Sequence, residues 1–246
     1  MLKKIGLFGS CQLHMTSSYF FNEEMLKKEQ YEILFSLPFY NYDPQYIYSN
    51  NNHLNYKIFD DLDILIIENN NLNNQASSEK IINYCLNKNI QIIKTFLIKF
   101  PIYPINWSGY GEKKSDYINW IGLDKIDYKK KFQENILSCR NENKKSDLTL
   151  EISDFIENNF NKQLLFLHSL HPTNLLLYEL YRNIFKKLHI NIDDYNFDLK
   201  KEILTKDWYN PFTKKMLTDL DIQFNTIVDD NFYIIRYNKN INLINK

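Results

Sequence analysis

Short, mainly apolar runs alternate with longer amphipathic stretches along most of this chain, and that alternation limits what it can fold into. Ile5–Phe8, Tyr31–Phe35, Ile64–Ile67, the run "IQIIKTFLI" and the run "QLLFLHSL" each have the length and composition of a buried strand. Between them lie helix-compatible stretches at Leu13–Lys28, Ser77–Asn87 and Asp147–Phe160, and a further one, "TNLLLYELYRNIFKKL", follows Pro172. Alternation of this kind predicts an α/β fold: an open, mainly parallel sheet flanked by helices, a flavodoxin-like three-layer sandwich. In such sheets ligands bind off the carboxyl ends of the strands. The pattern blurs beyond about Asp193, where "NFYIIRY" reads as a late strand. Residues 1–246 are therefore read as a single domain, with room for a small appended lobe from about 193.

The chain has only five glycines, and two of them, Gly6 and Gly9, fall in the run "KKIGLFGSCQ". Against ordinary glycine usage, each is expected to meet a backbone need. The run reads as strand, tight turn and helix, with Cys11 at or near the helix start. There the helix dipole and unpaired N–H groups favour an anion, so the thiol is expected to lose its proton more easily than usual. The same position also suits a buried cysteine that packs as a small hydrophobe.

Composition removes several function classes. Lys plus Arg and Asp plus Glu stand at 30 each, so neither nucleic acid nor an anionic membrane is an expected partner. Cys11, Cys85 and Cys139 are widely spaced and form no metal pattern such as C-x2-C, so no metal is expected. Their odd number favours a reducing compartment. The apolar stretch before Gly9 is too short for a secretory leader, and no window matches a membrane span, so a cytoplasmic protein is expected.

A second group of candidates lies in "FLHSLHPTN". Pro172 suits the first turn of a helix, which puts His171 at the mouth of a strand-to-helix turn, where a general base is well placed. His168, three residues earlier, either orients His171 or simply ends the strand. His14, three residues after Cys11, is an alternative base. After the third strand, Glu68, Asn69 and Asn70 could present a carboxylate or amide donors, or form a plain polar loop. The segment "SGYGEKK" pairs Lys113 and Lys114 in a glycine-rich stretch suited to a phosphorylated ligand.

Taken in order, "GSCQ", "SDFIENNF" and "HPTN" resemble motifs of the WcbI-type polysaccharide-biosynthesis family. Its members resemble coenzyme A-binding acetyltransferases that act on surface sugars, on a fold akin to the SGNH hydrolases. Gly9, Cys11 and Gln12 match the family's Gly-x-Cys-Gln motif, and His171 and Pro172 match its His-Pro motif. Asp154 to Glu157 match its "DFIE" helix, and Pro101 to Gly111 its proline-and-glycine loop. The likeness covers roughly residues 1 to 190. Ser10 replaces the family's usual Asn, and His168 stands where SGNH hydrolases carry an Asp, so a carboxylate for His171 must come from elsewhere, with Glu68 a candidate.

The resemblance implies an acetyl-CoA-dependent acetyltransferase that modifies a free or nucleotide-linked sugar. Cys11, His171 and His168 would be the catalytic group, and Ser10, Gln12, Glu68, Asn69 and Asn70 would face the oxyanion or substrate. Gly9, Tyr110, Gly111, Lys113, Lys114 and Asn174 would meet coenzyme A. The alternatives are an esterase or deacetylase with the same nucleophile and base, and a non-catalytic module that binds coenzyme A or a glycan.

Overall fold

The computed structural model describes residues 1–42, 53–102, 125–149, 151–200, 208–209, 212–226 and 235–236. The chain divides into two compact units. The first comprises Met1–Leu97, Glu142–Thr149 and Leu177–Leu199, and the second Ile98–Asn141, Leu150–Leu176 and Lys200–Lys246.

The first unit is built on a four-stranded sheet of β1 (Lys3–Gly9), β2 (Tyr31–Pro38), β3 (Ile64–Glu68) and β4 (Gln91–Thr95), in the order β2-β1-β3-β4. Every pairing is parallel, as the alternation of strands and helices predicts. All five residues of β3 are buried, which is why it reads as one apolar run: a parallel strand inside such a sheet is covered on both faces. Gly6 is required by close approach. A Cβ there would stand 2.6 Å from both Leu62 Cδ1 and Phe35 Cζ. Pro38, the last residue of β2, falls on an outer strand, where a missing N–H costs no ladder bond. On the opposite outer strand, Asp147 takes the place of a neighbour. Its N–H donates to Lys94 O at 2.8 Å, and its Oδ2 accepts the Lys94 N–H at 2.6 Å.

The helix expected over Leu13–Lys28 is three short ones, α1 (Cys11–His14), α2 (Ser17–Phe20) and α3 (Glu23–Lys28). Hydroxyl groups break it: Thr16 Oγ1 donates to Gln12 O and Ser17 Oγ to His14 O, local bonds that compete with the helical ladder. Asn22 then caps α3, accepting from Glu24 and Met25 N–H. The Ser77–Asn87 stretch forms α4 (Ser78–Leu86) as expected.

A helix of seventeen residues that the sequence pattern did not suggest, α5 (Tyr128–Lys144), precedes α6 (Glu151–Asn159). The helix expected from Asp147 starts later because Asp147 is held on β4. In the second unit Arg140 of α5 binds Asp154 at 2.9 Å and also Glu157, so both acids of the "DFIE" stretch serve as an anchor between helices. The core of this unit is aromatic: Phe100 stacks on Phe166 at 5.0 Å and lies 5.2 Å from Phe160, which in turn contacts Phe132 and Phe212.

The run "QLLFLHSL" does not extend the main sheet. Only β5 (Phe166–His168) is a strand, and it pairs antiparallel with the two-residue β6 (His171–Pro172). Pro172 therefore lies in an extended segment and does not open a helix. Thr173 fixes it there, donating its N–H to Leu165 O at 2.9 Å and its hydroxyl to Leu164 and Leu165 carbonyls. The helix, α7 (Asn174–Lys187), begins at Asn174. Three later elements are described: β7 (Trp208–Tyr209), α8 (Lys214–Asp219) and β8 (Ile235–Arg236), with β7 and β8 paired antiparallel. The expected strand "NFYIIRY" is represented among the described residues by β8.

Tyr181 of α7 ties α1 to its surroundings inside the first unit. Its ring stacks on Phe20 at 4.3 Å, and its hydroxyl donates to Leu13 O at 3.0 Å and contacts Thr16 Oγ1 at 2.9 Å. Removing only that hydroxyl, in Tyr181→Phe, leaves the Leu13 carbonyl and Thr16 short of a partner in a dry site. The expected loss is about 1–2 kcal/mol, read as a lower urea midpoint with an unchanged slope.

Candidate functional site

Two clusters of candidate residues emerge, one in each unit. The first lies at the carboxyl ends of β1 and β3, adjacent central strands whose connections leave in different directions. That is the switch point where ligands bind in open parallel sheets. β1 ends at Gly9, and its side of the turn is tight: a Cβ there would come within 2.9 Å of Leu13 Cβ and 3.1 Å of Glu68 Cβ. Glycine is needed so that α1 and the end of β3 can both close on this backbone.

Ser10 is the N-cap of α1, its Oγ accepting the Gln12 N–H at 3.2 Å. The same hydroxyl donates to Glu68 Oε2 at 2.7 Å, and the Ser10 N–H donates to that oxygen at 3.2 Å. Glu68 is 2% exposed and Ser10 5% exposed, so this charge-assisted pair is shielded from water. Ser10 does not keep its N–H for a substrate oxyanion: it is directed at Glu68.

Cys11 follows and is partly buried. Its thiol is pushed up to about 12, first by burial and then by the Glu68 carboxylate, while backbone N–H groups of Gln12 and Cys11 and the Ser10 hydroxyl act weakly the other way. The easily ionised thiol expected from a helix start is thus reversed. α1 is only four residues long, and its dipole is small against the loss of water around the sulfur and a neighbouring negative charge. Gln12 is fully buried. His14 Nδ1 lies 3.2 Å from Ser36 Oγ, and burial lowers its pKa.

The residues after β3 brace the loop. Asn69 donates its side-chain amide to Lys145 O at 2.9 Å and its N–H to Thr95 O at 3.0 Å. Asn70 donates its amide to Ala76 O at 3.1 Å, and its Oδ1 accepts from Leu72 and Ser78 N–H. These bonds fix the path from β3 to α4. Thr95, at the end of β4, was not singled out by sequence. Its buried Oγ1 has no hydrogen-bond partner among the described residues; a threonine ending an apolar strand gives little warning of that.

The second cluster is the hairpin of β5 and β6, where His168 and His171 are paired residues with ring centroids 3.9 Å apart. Leu170 N–H donates to His168 Nδ1 at 3.3 Å, so a neutral His168 carries its proton on Nε2. Burial pushes His171 down to about 4, and burial together with the His171 charge lowers His168 further, to about 3. Both rings are neutral at pH 7. The turn is tied down by Phe100 N–H donating to Ser169 O at 2.9 Å, while the buried Ser169 Oγ has no hydrogen-bond partner among the described residues. Asn174 is fully buried at the first position of α7.

Cys11, Ser10, Gln12 and Glu68 are brought together in the first unit, and His168 and His171 in the second. Tyr110, Gly111, Lys113 and Lys114 lie outside the described residues, as does most of the Pro101–Gly111 loop. Among the described residues no group of three or more His, Cys, Asp or Glu side chains is placed to hold a metal ion, and no helix is long and apolar enough to cross a membrane.

No family model and no curated protein matches the chain. Among solved structures, WcbI, described as a novel polysaccharide biosynthesis enzyme, matches with a TM-score of 0.63 at 17% identity. The match covers 100% of this chain and 88% of that one. The WcbI structure is described as native protein without a disulfide bond between coenzyme A and one of its own cysteines. The likeness is one of fold: this chain has a WcbI-like architecture, a mixed α/β structure with a four-stranded parallel sheet flanked by helices.

Proposed function

We propose that the protein is an acetyl-CoA-dependent acetyltransferase that modifies a sugar, free or nucleotide-linked, in surface-glycan biosynthesis. The observation that carries this reading is the Gly9–Gln12 turn at the switch point of the sheet, on a fold shared with a polysaccharide biosynthesis enzyme whose description names coenzyme A. The Cys11 cluster suits a thioester in one respect: a protonated thiol brings no charge of its own to an uncharged sulfur ester.

With its thiol pushed up to about 12 by burial and the Glu68 carboxylate, Cys11 stays protonated at pH 7. Direct transfer therefore fits better than an acetyl-cysteine intermediate, with Cys11 a neutral contact for the acyl donor. In this mechanism the acceptor oxygen or nitrogen attacks the thioester carbonyl while His171 takes its proton. The carbon–sulfur bond then breaks, and the departing coenzyme A thiolate recovers the proton from His171. The Gln12 side-chain amide and the Cys11 N–H are assigned to the oxyanion, since the Ser10 and Gln12 N–H groups are taken by Glu68 and Ser10. His168, its tautomer set by Leu170, serves as a fixed neighbour of the base. Gly9, Tyr110, Gly111, Asn174 and the paired Lys113 and Lys114 are assigned to coenzyme A, the lysines to its 3′-phosphate. The expected setting is cytoplasmic, without nucleic acid or membrane partners.

The test is to incubate the protein with acetyl-CoA, with and without a panel of sugars and nucleotide sugars, and to follow coenzyme A and acetate. Sugar-dependent coenzyme A release, with no adduct of about 42 Da on the Cys11 peptide, is the expected outcome. Acetate release indifferent to sugars would identify an esterase. Binding of coenzyme A with no turnover under any condition would identify a binding module.

A further inference from the structure

The use made of Glu68 is unusual for a buried acid at a switch point: Oε2 faces Ser10, the residue before the thiol, and takes both its N–H and its Oγ–H. Gly9 allows this, since β3 approaches within 3.1 Å of where a Cβ would lie. Ser10 in turn caps α1, so the carboxylate of Glu68, on β3, anchors the turn that carries Cys11, and its charge acts on the thiol through space. His14, on α1 itself, is turned to Ser36, and Tyr181 of α7 is a buried phenol under the influence of the same carboxylate.

We propose that Glu68 is the positioning residue of the Cys11 turn, pinning Ser10 and keeping Cys11 from acting as a thiolate. The inference deepens the direct-transfer reading, and it has a chemical purpose there. Each turnover releases a thiol, and a thiolate at Cys11 would be open to exchange with any disulfide of that product, ending as a protein–coenzyme A mixed disulfide. The exchange consumes one disulfide and releases one coenzyme A thiolate, so it needs the oxidised form of the cofactor as co-reactant. A protonated Cys11 does not enter it, and the carboxylate thus protects the site from that disulfide.

The test needs no turnover, so it stands or falls apart from the assigned reaction. Cys11 alkylation by iodoacetamide is followed from pH 7 to 10 by peptide mass mapping, in the parent, in Glu68→Gln and in Ser10→Ala. Glu68→Gln retains an oxygen for Ser10 and removes the charge, so Cys11 should react about fivefold to tenfold faster at pH 8. Ser10→Ala keeps the charge and should react no faster than the parent. Labelling of the buried Cys85 and Cys139 in the same samples reports whether each variant is folded. Should Glu68→Gln not fold, the parent decides alone: its Cys11 rate must still be rising at pH 10. A Glu68→Gln rate within twofold of the parent, or a parent rate that levels off before pH 10, overturns the proposal.

Discussion

Acetyl transfer by His171→Ala should fall by about 10^2- to 10^4-fold, with little change in affinity for acetyl-CoA. The pH profile of the parent should identify the same residue. Burial holds His171 at about 4, so the basic form persists far into acid. The rate should stay level from neutral pH to about pH 5 and then drop with a slope of one. An ordinary surface histidine would have turned the profile near pH 6.5. A midpoint there would remove His171 from the role of base.

Stability should depend on pH through the same group. Its folded pKa is below its unfolded value, so between about pH 6.5 and pH 4 the unfolded chain takes up a proton that the native hairpin refuses. Stability is therefore intact above about pH 6.5 and is lost as pH falls through this window, by at most about 1.4 kcal/mol per unit for a single such group. Urea midpoints at pH 7 and pH 5 measure it. His171→Gln, which cannot titrate, should make the dependence shallower, the remainder coming from the buried His168.

The second large effect is expected from Gly9→Ala. Its new methyl would stand 2.9 Å from Leu13 Cβ, an atom fixed by the helix backbone, and 3.1 Å from Glu68 Cβ, fixed by the strand. Neither can swing aside as a side-chain tip can, so α1 or the end of β3 must move. Overpacking of this kind costs about 1–3 kcal/mol. The displaced parts carry Ser10, Cys11 and Glu68, so transfer should suffer by more than stability. Gly6→Ala is the comparison: its crowding falls on Leu62 Cδ1 and the Phe35 ring, and its damage should be to stability alone. Thermal midpoints beside steady-state rates separate the two. Equal losses of rate and stability in Gly9→Ala would reduce that glycine to a packing residue.

What could be read from sequence followed the physics of burial. β1, β3 and α4 announce themselves because a strand covered on both faces must be apolar throughout and an outer helix must show one apolar stripe. α5 did not, since "YKKKFQENILSCRNENK" is rich in charge and amide and offers few apolar positions. The split of Leu13–Lys28 into three helices rests on two hydroxyls that choose backbone carbonyls, a choice invisible to periodicity. Pro172 misled for a related reason: a proline suits a helix start and an extended strand equally, and only Thr173's bonds to the β5 side decide between them. At the candidate site, position was readable and electrostatics were not. The helix start at Cys11 was correctly placed, but the sign of the thiol's shift depended on burial and on Glu68, more than fifty residues away in sequence.

Asp147 gives the sheet a boundary. It occupies both backbone groups of Lys94 with one residue, so an incoming strand finds neither of them to bond near the end of β4. Sheets that end in open ladders recruit strands from other molecules, and a plug at one rim restricts such growth to the other. Among the described residues the β2 edge carries no such plug, so oligomers or fibrils seeded through this sheet would be expected to start there, and crowding by a second chain should be sought at that side first in any concentrated preparation.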